Sequence, residues 1–278
     1  MPAPSGSAES NGYFLSLYAV MLTSVAPLVR PPSDPHRGEA ARRCARHSLF
    51  VAAIGGVLVV VLMVWFDAWE ISLMSPRGVA SLWPFRILTD FGKDSYVLIA
   101  SGGISLLVAL VAAAIRDPLR WRLLEIVRHF QFLFCSVLVP LISGELVKWV
   151  VGRGRPFVGG HAEVFNFAPF SGTEAHASFP SAHAITAFAL GMAVTAVWPR
   201  LRGMMIFYVV VIAFTRLVLL AHHPSDVVAG GAIGMIGAMF VRYWFAARGL
   251  GFSIDARGIT APSAGRPFKG VAAGPSAP

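Results

Sequence analysis

The chain has 278 residues, of which 56% are hydrophobic and only 13% charged. Soluble domains carry about 25% charged residues, so this composition describes a membrane protein. The formal net charge of +9 does not make it a nucleic-acid binder, because the basic residues lie between apolar runs and not in one patch.

Residues 1–47 open with Pro, Ser, Gly and Ala and then run apolar over 13–29. That run sits at the lower length limit for a span. It lacks a basic flank and a small-residue cleavage site, so it is not read as a signal peptide. It is expected to lie on the membrane surface or to be unstructured, not to cross. Residues 31–47 are polar and Arg-rich, and 1–47 together predict a cytoplasmic tail, partly disordered.

Six stretches are long and apolar enough to cross about 30 Å of hydrocarbon. They are 49–66, 96–115, 130–147, 182–198, 203–221 and 227–245, and the charges among them are Glu145, Arg216 and Arg242. Backbone in lipid must bond internally, so each should be a helix. The expected fold is all-α: a polytopic membrane protein with six transmembrane helices in a bundle over 48–246. Residues 247–278, rich in Gly, Pro and Ala, predict a disordered cytoplasmic tail. Glycines 230, 231, 234 and 237 read as a close-packing face on the sixth span. Cys44 and Cys135 fall at different depths and predict neither a disulfide nor a metal-ligand pair.

Most of the 23 Lys and Arg residues lie in both tails and in the connections at 116–129 and 199–202. The positive-inside rule then puts both tails in the cytoplasm. It also brings three chemically rich stretches to the outer face: KWVVGRGRP (148–156), FPSAH (179–183) and TRLVLLAHHPSD (215–226). The connection 67–95 carries SLWPFRILTDFGK, read as aromatic anchors at head-group level or a short interfacial helix near where a lipid head group enters.

Each stretch suits chemistry on a phosphate. Arg216 lies near the end of a span, where a charge is expensive, and its planar guanidinium matches phosphate oxygens. Its structural alternative is a pair with Glu145. Lys148 and Arg155 flank two glycines that let the backbone turn both cations onto one anion. Arg153 is second-tier, facing solvent or lipid phosphates. Glu145 either pairs with Lys148 or packs between helices. Pro180 and Ser181 suit a helix start, where free amides form an anion site with His183 beside it. His222 and Asp226 are four apart, so the carboxylate can bond one ring nitrogen and leave the other free to attack. His223 competes with His222 for that role. His161, Glu163, Glu174 and His176 read as solvated loop residues. No metal site and no nucleotide fingerprint stands out.

These motifs resemble the type 2 phosphatidic acid phosphatase superfamily, which also includes vanadium haloperoxidases and bacterial acid phosphatases. Its pattern of Lys, six residues, Arg-Pro is matched by Lys148, Arg155 and Pro156. Pro-Ser-Gly-His is matched by Pro180, Ser181 and His183, with Ala182 in the Gly place. Ser-Arg, five residues, His, three residues, Asp is matched by Arg216, His222 and Asp226, with Thr215 for Ser. That spacing selects His222 over His223. The resemblance, which covers about residues 50–245, implies that 48–246 is a membrane phosphatase domain.

It further implies that His222 is a nucleophile forming a phosphohistidine, that Asp226 orients it, and that His183 is the general acid. Lys148, Arg155, Ser181, Arg216 and the Ala182 amide would hold the phosphoryl oxygens, with no cofactor and no metal. If Ala182 had to take up a positive φ, it would be strained. Expected partners are the bilayer and a phospholipid, polyprenyl or lipid A phosphate substrate. The expected location is the cytoplasmic membrane, with the site on the periplasmic face. The head group could be that of phosphatidate, phosphatidylglycerol phosphate, undecaprenyl diphosphate or lipid A 1-phosphate. Two other readings stand beside hydrolysis: a lipid-to-lipid phosphotransferase using the same histidine, and a non-enzymatic lipid binder or transporter. The apolar spans speak against a haloperoxidase.

Overall fold

The computed structural model describes residues 6–74, 78–115, 119–160 and 163–263. Helix α1 spans Gly6–Val29 and α2 spans Arg37–Trp65. Two short helices follow at the mouth of the bundle, α3 (Asp67–Leu73) and α4 (Trp83–Asp90). The remaining helices are α5 (Asp94–Ala114), α6 (Leu119–Val151), α7 (Ala182–Val197), α8 (Arg202–Val218) and α9 (Pro224–Ala247). A hairpin of β1 (Phe252–Ile254) and β2 (Thr260–Pro262) closes the described chain, pairing Ser253 with Ala261.

The chain is therefore all-α in its membrane part. Five helical segments are long and apolar enough to cross a membrane, and α7, with 16 residues, is shorter. Six spans is thus an approximate description. At 1.5 Å per residue α7 is about 24 Å long, against the ~30 Å of hydrocarbon. Its burial gives the reason: Ala184, Ile185, Ala187 and Ala189 are all fully buried. A helix surrounded by protein has no lipid to match.

The close packing of α7 depends on α9. A Cβ on Gly230 would lie 2.5 Å from the Ser181 carbonyl oxygen, and one on Gly234 2.5 Å from that of Ile185. Only glycine lets the two helices approach this closely, as the spacing suggested.

Both termini carry more structure than composition implies. Residues 13–29 belong to a helix docked on α5, not to a segment lying apart on the surface. Ser16 Oγ donates to the Ala113 carbonyl at 2.8 Å, and Val20 is buried against Ala109 and Ala112. The Arg-rich stretch 37–47, expected in a partly disordered tail, forms the first turns of α2. Part of the expected disordered C-terminal tail is the hairpin. Phe252 inserts against Phe132, ring centroids 4.7 Å apart, and the Asp255 carboxylate accepts the Arg257 and Ile259 amides in the turn. A single buried aromatic and a capped turn anchor a segment that low hydrophobicity marks as loose. The rest of that tail, 264–278, lies outside the described residues, as does His161.

Candidate active site

The first motif ends α6. Lys148 lies in its last turn and pairs with Glu145, which settles the alternatives left open for that acid. The chain then breaks at Gly152, whose φ is +57°. A Cβ there would come 2.0 Å from the Ala168 carbonyl oxygen, so this position requires glycine. The break sends Arg153 and Arg155 in different directions. Arg155 keeps 22% of its side chain exposed and reaches Glu174 at 3.4 Å. Arg153 is fully buried, contrary to the expectation that it faces solvent or lipid.

Arg153 instead organises the floor of the site. Its Nη1 donates to Asp226 Oδ1 at 2.6 Å and to Ser225 Oγ at 2.7 Å. Its Nη2 donates to Asp67 Oδ2 at 2.9 Å and to the Val164 carbonyl, also at 2.9 Å. Asp67, from α3, also accepts the Ser225 amide at 3.0 Å. All four side chains are sealed from solvent. Sequence reasoning missed Asp67 because it lies in a connection far from every motif, and its partners are set only by folding.

The second motif is stitched to the other two through its backbone. The Ser178 amide donates to the Arg153 carbonyl at 3.0 Å, and the Ser181 amide to the Asp226 carbonyl at 3.1 Å. Ser181 caps α7, its Oγ accepting the Ala184 amide at 3.4 Å. Ala182 is the first helical residue and has no positive φ, so its replacement of glycine brings no strain. The amides of Ala182 and His183 open the helix, with no preceding turn to donate to. Free amides at a helix start are the geometry that an anion site requires.

The third motif reverses direction between two helices. After α8, Leu220 adopts φ +48° and the Ala221 amide donates to the Arg216 carbonyl at 3.1 Å. This turn brings His222 back beneath Arg216. Arg216 donates from Nη1 to Thr89 Oγ1 of α4 at 2.7 Å, not to Glu145. Pro224 then starts α9, and Asp226 accepts the His223 amide at 2.9 Å.

One expectation about Asp226 changes. The His222 ring does not bond its carboxylate, since Nδ1 lies 4.0 Å from Asp226 Oδ2. His222 Nδ1–H donates instead to the Ser178 carbonyl at 2.7 Å. Asp226 Oδ2 accepts the Ser178 hydroxyl at 2.6 Å. The carboxylate therefore acts on the histidine through Ser178. A backbone carbonyl is an acceptor only, so it fixes the proton on Nδ1 and leaves Nε2 with its lone pair. Ser178 lies just before the FPSAH stretch and carries no signal of its own in the sequence.

The electrostatics of the site favour an anion. Burial, then Arg216 and Arg155, hold His222 well below the usual histidine range. Arg216, Lys93, Asp90 and Lys148 are the charged groups acting on the His183 ring. Lys93, paired with Asp90 at 2.8 Å, is a further cation at the mouth that the sequence reading did not single out. Glu70 of α3 is buried with both carboxyl oxygens unpartnered among the described residues. Burial, then Asp67 and Asp226, push it up to about 8. His223 is fully buried, whereas His222 keeps 4% of its surface exposed.

Comparison with known proteins gives these contacts a setting. The family model described as PAP2 superfamily matches residues 129–250. A lipid A 1-phosphatase from Rhizobium johnstonii is 32% identical over 204 residues, which is 70% of this chain and 80% of that protein. A second, from Rhizobium etli, is 30% identical over 204 residues, 70% of this chain and 84% of that protein. No solved structure matches. At this identity and coverage the resemblance read from three short motifs becomes membership: the chain belongs to the PAP2 superfamily and is a membrane lipid phosphatase.

Proposed function

We propose that the protein removes the 1-phosphate of lipid A at the outer face of the cytoplasmic membrane, through a phosphohistidine on His222. The substrate rests on the relatives, both lipid A 1-phosphatases, and on the membrane character of the chain. The orientation rests on the basic residues, which crowd the end of the bundle away from His222. The observation that carries the mechanism is the 2.7 Å bond from His222 Nδ1 to the Ser178 carbonyl. It presents a neutral ring with Nε2 available in a pocket of fixed cations.

Nε2 attacks phosphorus, the bond from phosphorus to the lipid oxygen breaks, and His183 gives its proton to the departing oxygen. The negative phosphate, placed among the cations around His183, favours the protonated ring that this step requires. Lys148, Arg155, Arg216 and the Ala182 amide stabilise the equatorial oxygens as charge redistributes. Water, with His183 now accepting its proton, splits the phosphorus–Nε2 bond and releases inorganic phosphate.

The test is phosphate release from lipid A, phosphatidate, phosphatidylglycerol phosphate and undecaprenyl diphosphate in detergent, with a chelator present. His222→Ala runs in parallel. Lipid A is expected to lose one phosphate, at position 1 by mass spectrometry, and the variant to lose activity by about 10⁴-fold or more. A phosphorylated second lipid in place of free phosphate would make the enzyme a transferase. Activity that survives His222→Ala would end the phosphohistidine reading.

A further inference from the structure

Helix α9 starts in the catalytic pocket, and Arg242 lies about 27 Å further along it, at 1.5 Å per residue. Two cavities meet at that distant end. One, of about 260 Å³, is lined by Arg43, His47 and Arg242, with Ile259 and Thr260 of the hairpin. The other, of about 630 Å³, runs between α2, α6 and α9 past Ser48, Pro140, Ile233, Ile236 and Phe240. Cys44 and Tyr243 line both, so the two adjoin. Neither lining contains an Asp or Glu.

The polarity runs in the direction a membrane lipid requires. The apolar cavity reaches back to Ile233, about 15 Å from Tyr243 toward the middle of the bundle. The cations gather where head groups sit. Among the described residues, Arg43 makes no hydrogen bond or ion pair. Arg242 donates from Nη2 to the Thr260 carbonyl, and its buried Nε donates to nothing there. A cation with unused donors beside an apolar groove is complementary to an anionic head group on an acyl chain.

We infer that this is a second lipid site, which holds an anionic glycerophospholipid of the leaflet opposite the active site. Its phosphate sits between Arg43 and Arg242, and one acyl chain follows α9 toward the bundle centre. The lipid is a bound ligand and not a substrate, since His222 and His183 lie at the other end of the bundle, about 27 Å away along α9. It bridges α2, α9 and the C-terminal hairpin.

The experiment uses the full chain in detergent with added dioleoylphosphatidylglycerol or dioleoylphosphatidylcholine, and native mass spectrometry counts the lipids retained. The wild type should prefer the anionic lipid, at about fivefold per engaged arginine. Arg43→Glu should abolish that preference. Arg46→Glu, with the same charge change on the same helix but outside both cavities, should keep it. Ala45→Trp, which fills the apolar cavity, should lower retention with no change of charge. Phosphatase activity at the other end of the bundle should persist in all three, which separates loss of the site from loss of the fold. Alkylation of Cys44 should be slowed by the anionic lipid in the wild type and not in Arg43→Glu. Equal retention in Arg43→Glu and Arg46→Glu, or equal retention of the two lipids by the wild type, would overturn the proposal.

Discussion

Beneath His222 lies a sealed chamber, and around it an open rim. In the chamber, Arg153, Asp67, Ser178, Ser225 and Asp226 are all fully buried, and each is bonded to another of the set. At the rim, Lys148 and Arg155 pair with acids that are 53% and 86% exposed. Exposed pairs contribute about 0–1 kcal/mol, so on the proposed mechanism an arriving phosphate would displace Glu145 and Glu174 at little cost. Buried pairs resist loss of one partner, because the other is left charged in a dry interior. The same Gly-rich turn feeds both regions. Arg153 and Arg155 are two residues apart, and one is sealed within the fold while the other reaches the rim.

The largest expected effect breaks that comparison at its centre. Arg153→Met leaves Asp67 and Asp226 buried without their shared cation, and should cost about 3–5 kcal/mol of stability. Thermal unfolding in detergent would show the drop, with activity lost alongside. Arg155→Met should leave the melting temperature nearly unchanged while kcat/KM falls by about 10²-fold or more. If the two variants lose stability equally, the division into chamber and rim is wrong.

Ser178→Ala sharpens the role of the link between Asp226 and His222. The carbonyl that receives the His222 proton survives, and only the hydroxyl bond to the carboxylate is lost. A loss of about 1–2 kcal/mol is expected, read as a roughly tenfold fall in kcat with little change in KM. An unchanged kcat would mean that Asp226 serves the fold alone.

The smallest effect is one of pH. Glu70 has an ordinary value of 4.5 and is raised to about 8 in the folded protein. Between those values the unfolded chain releases the proton and the folded chain keeps it, so stability falls as pH rises from 4.5 to 8. Glu70→Gln removes that dependence. The variant should melt at least about 3 °C higher than wild type at pH 8 and close to it at pH 5. A wild-type melting temperature that is flat over this range would show that Glu70 is not held neutral.

How much was legible beforehand differs by kind of residue. His222, His183, Arg216, Lys148 and Arg155 could be placed because their spacing is tied to helix ends, and a helix end is a local property. The glycine face of α9 was legible for the same reason. Asp67, Ser178 and Glu70 were not, since nothing local marks a residue whose setting comes from distant segments: Arg153 lies 86 positions from Asp67, and His222 44 from Ser178. The docking of α1 and the hairpin were also missed, because composition reports average hydrophobicity and not the single contacts of Ser16, Val20 and Phe252.

By itself the sequence determined the membrane setting, the helical class and the phosphatase family: apolar length sets what can cross lipid, and three short motifs carry the family's spacing. Only the tertiary structure decided how those groups are held. It turned Arg153 inward, routed Asp226 to His222 through Ser178, and shortened α7 within a protein shell. Direction and partnership belong to the folded chain, because a side chain's neighbours in a buried site come from segments that the sequence keeps far apart.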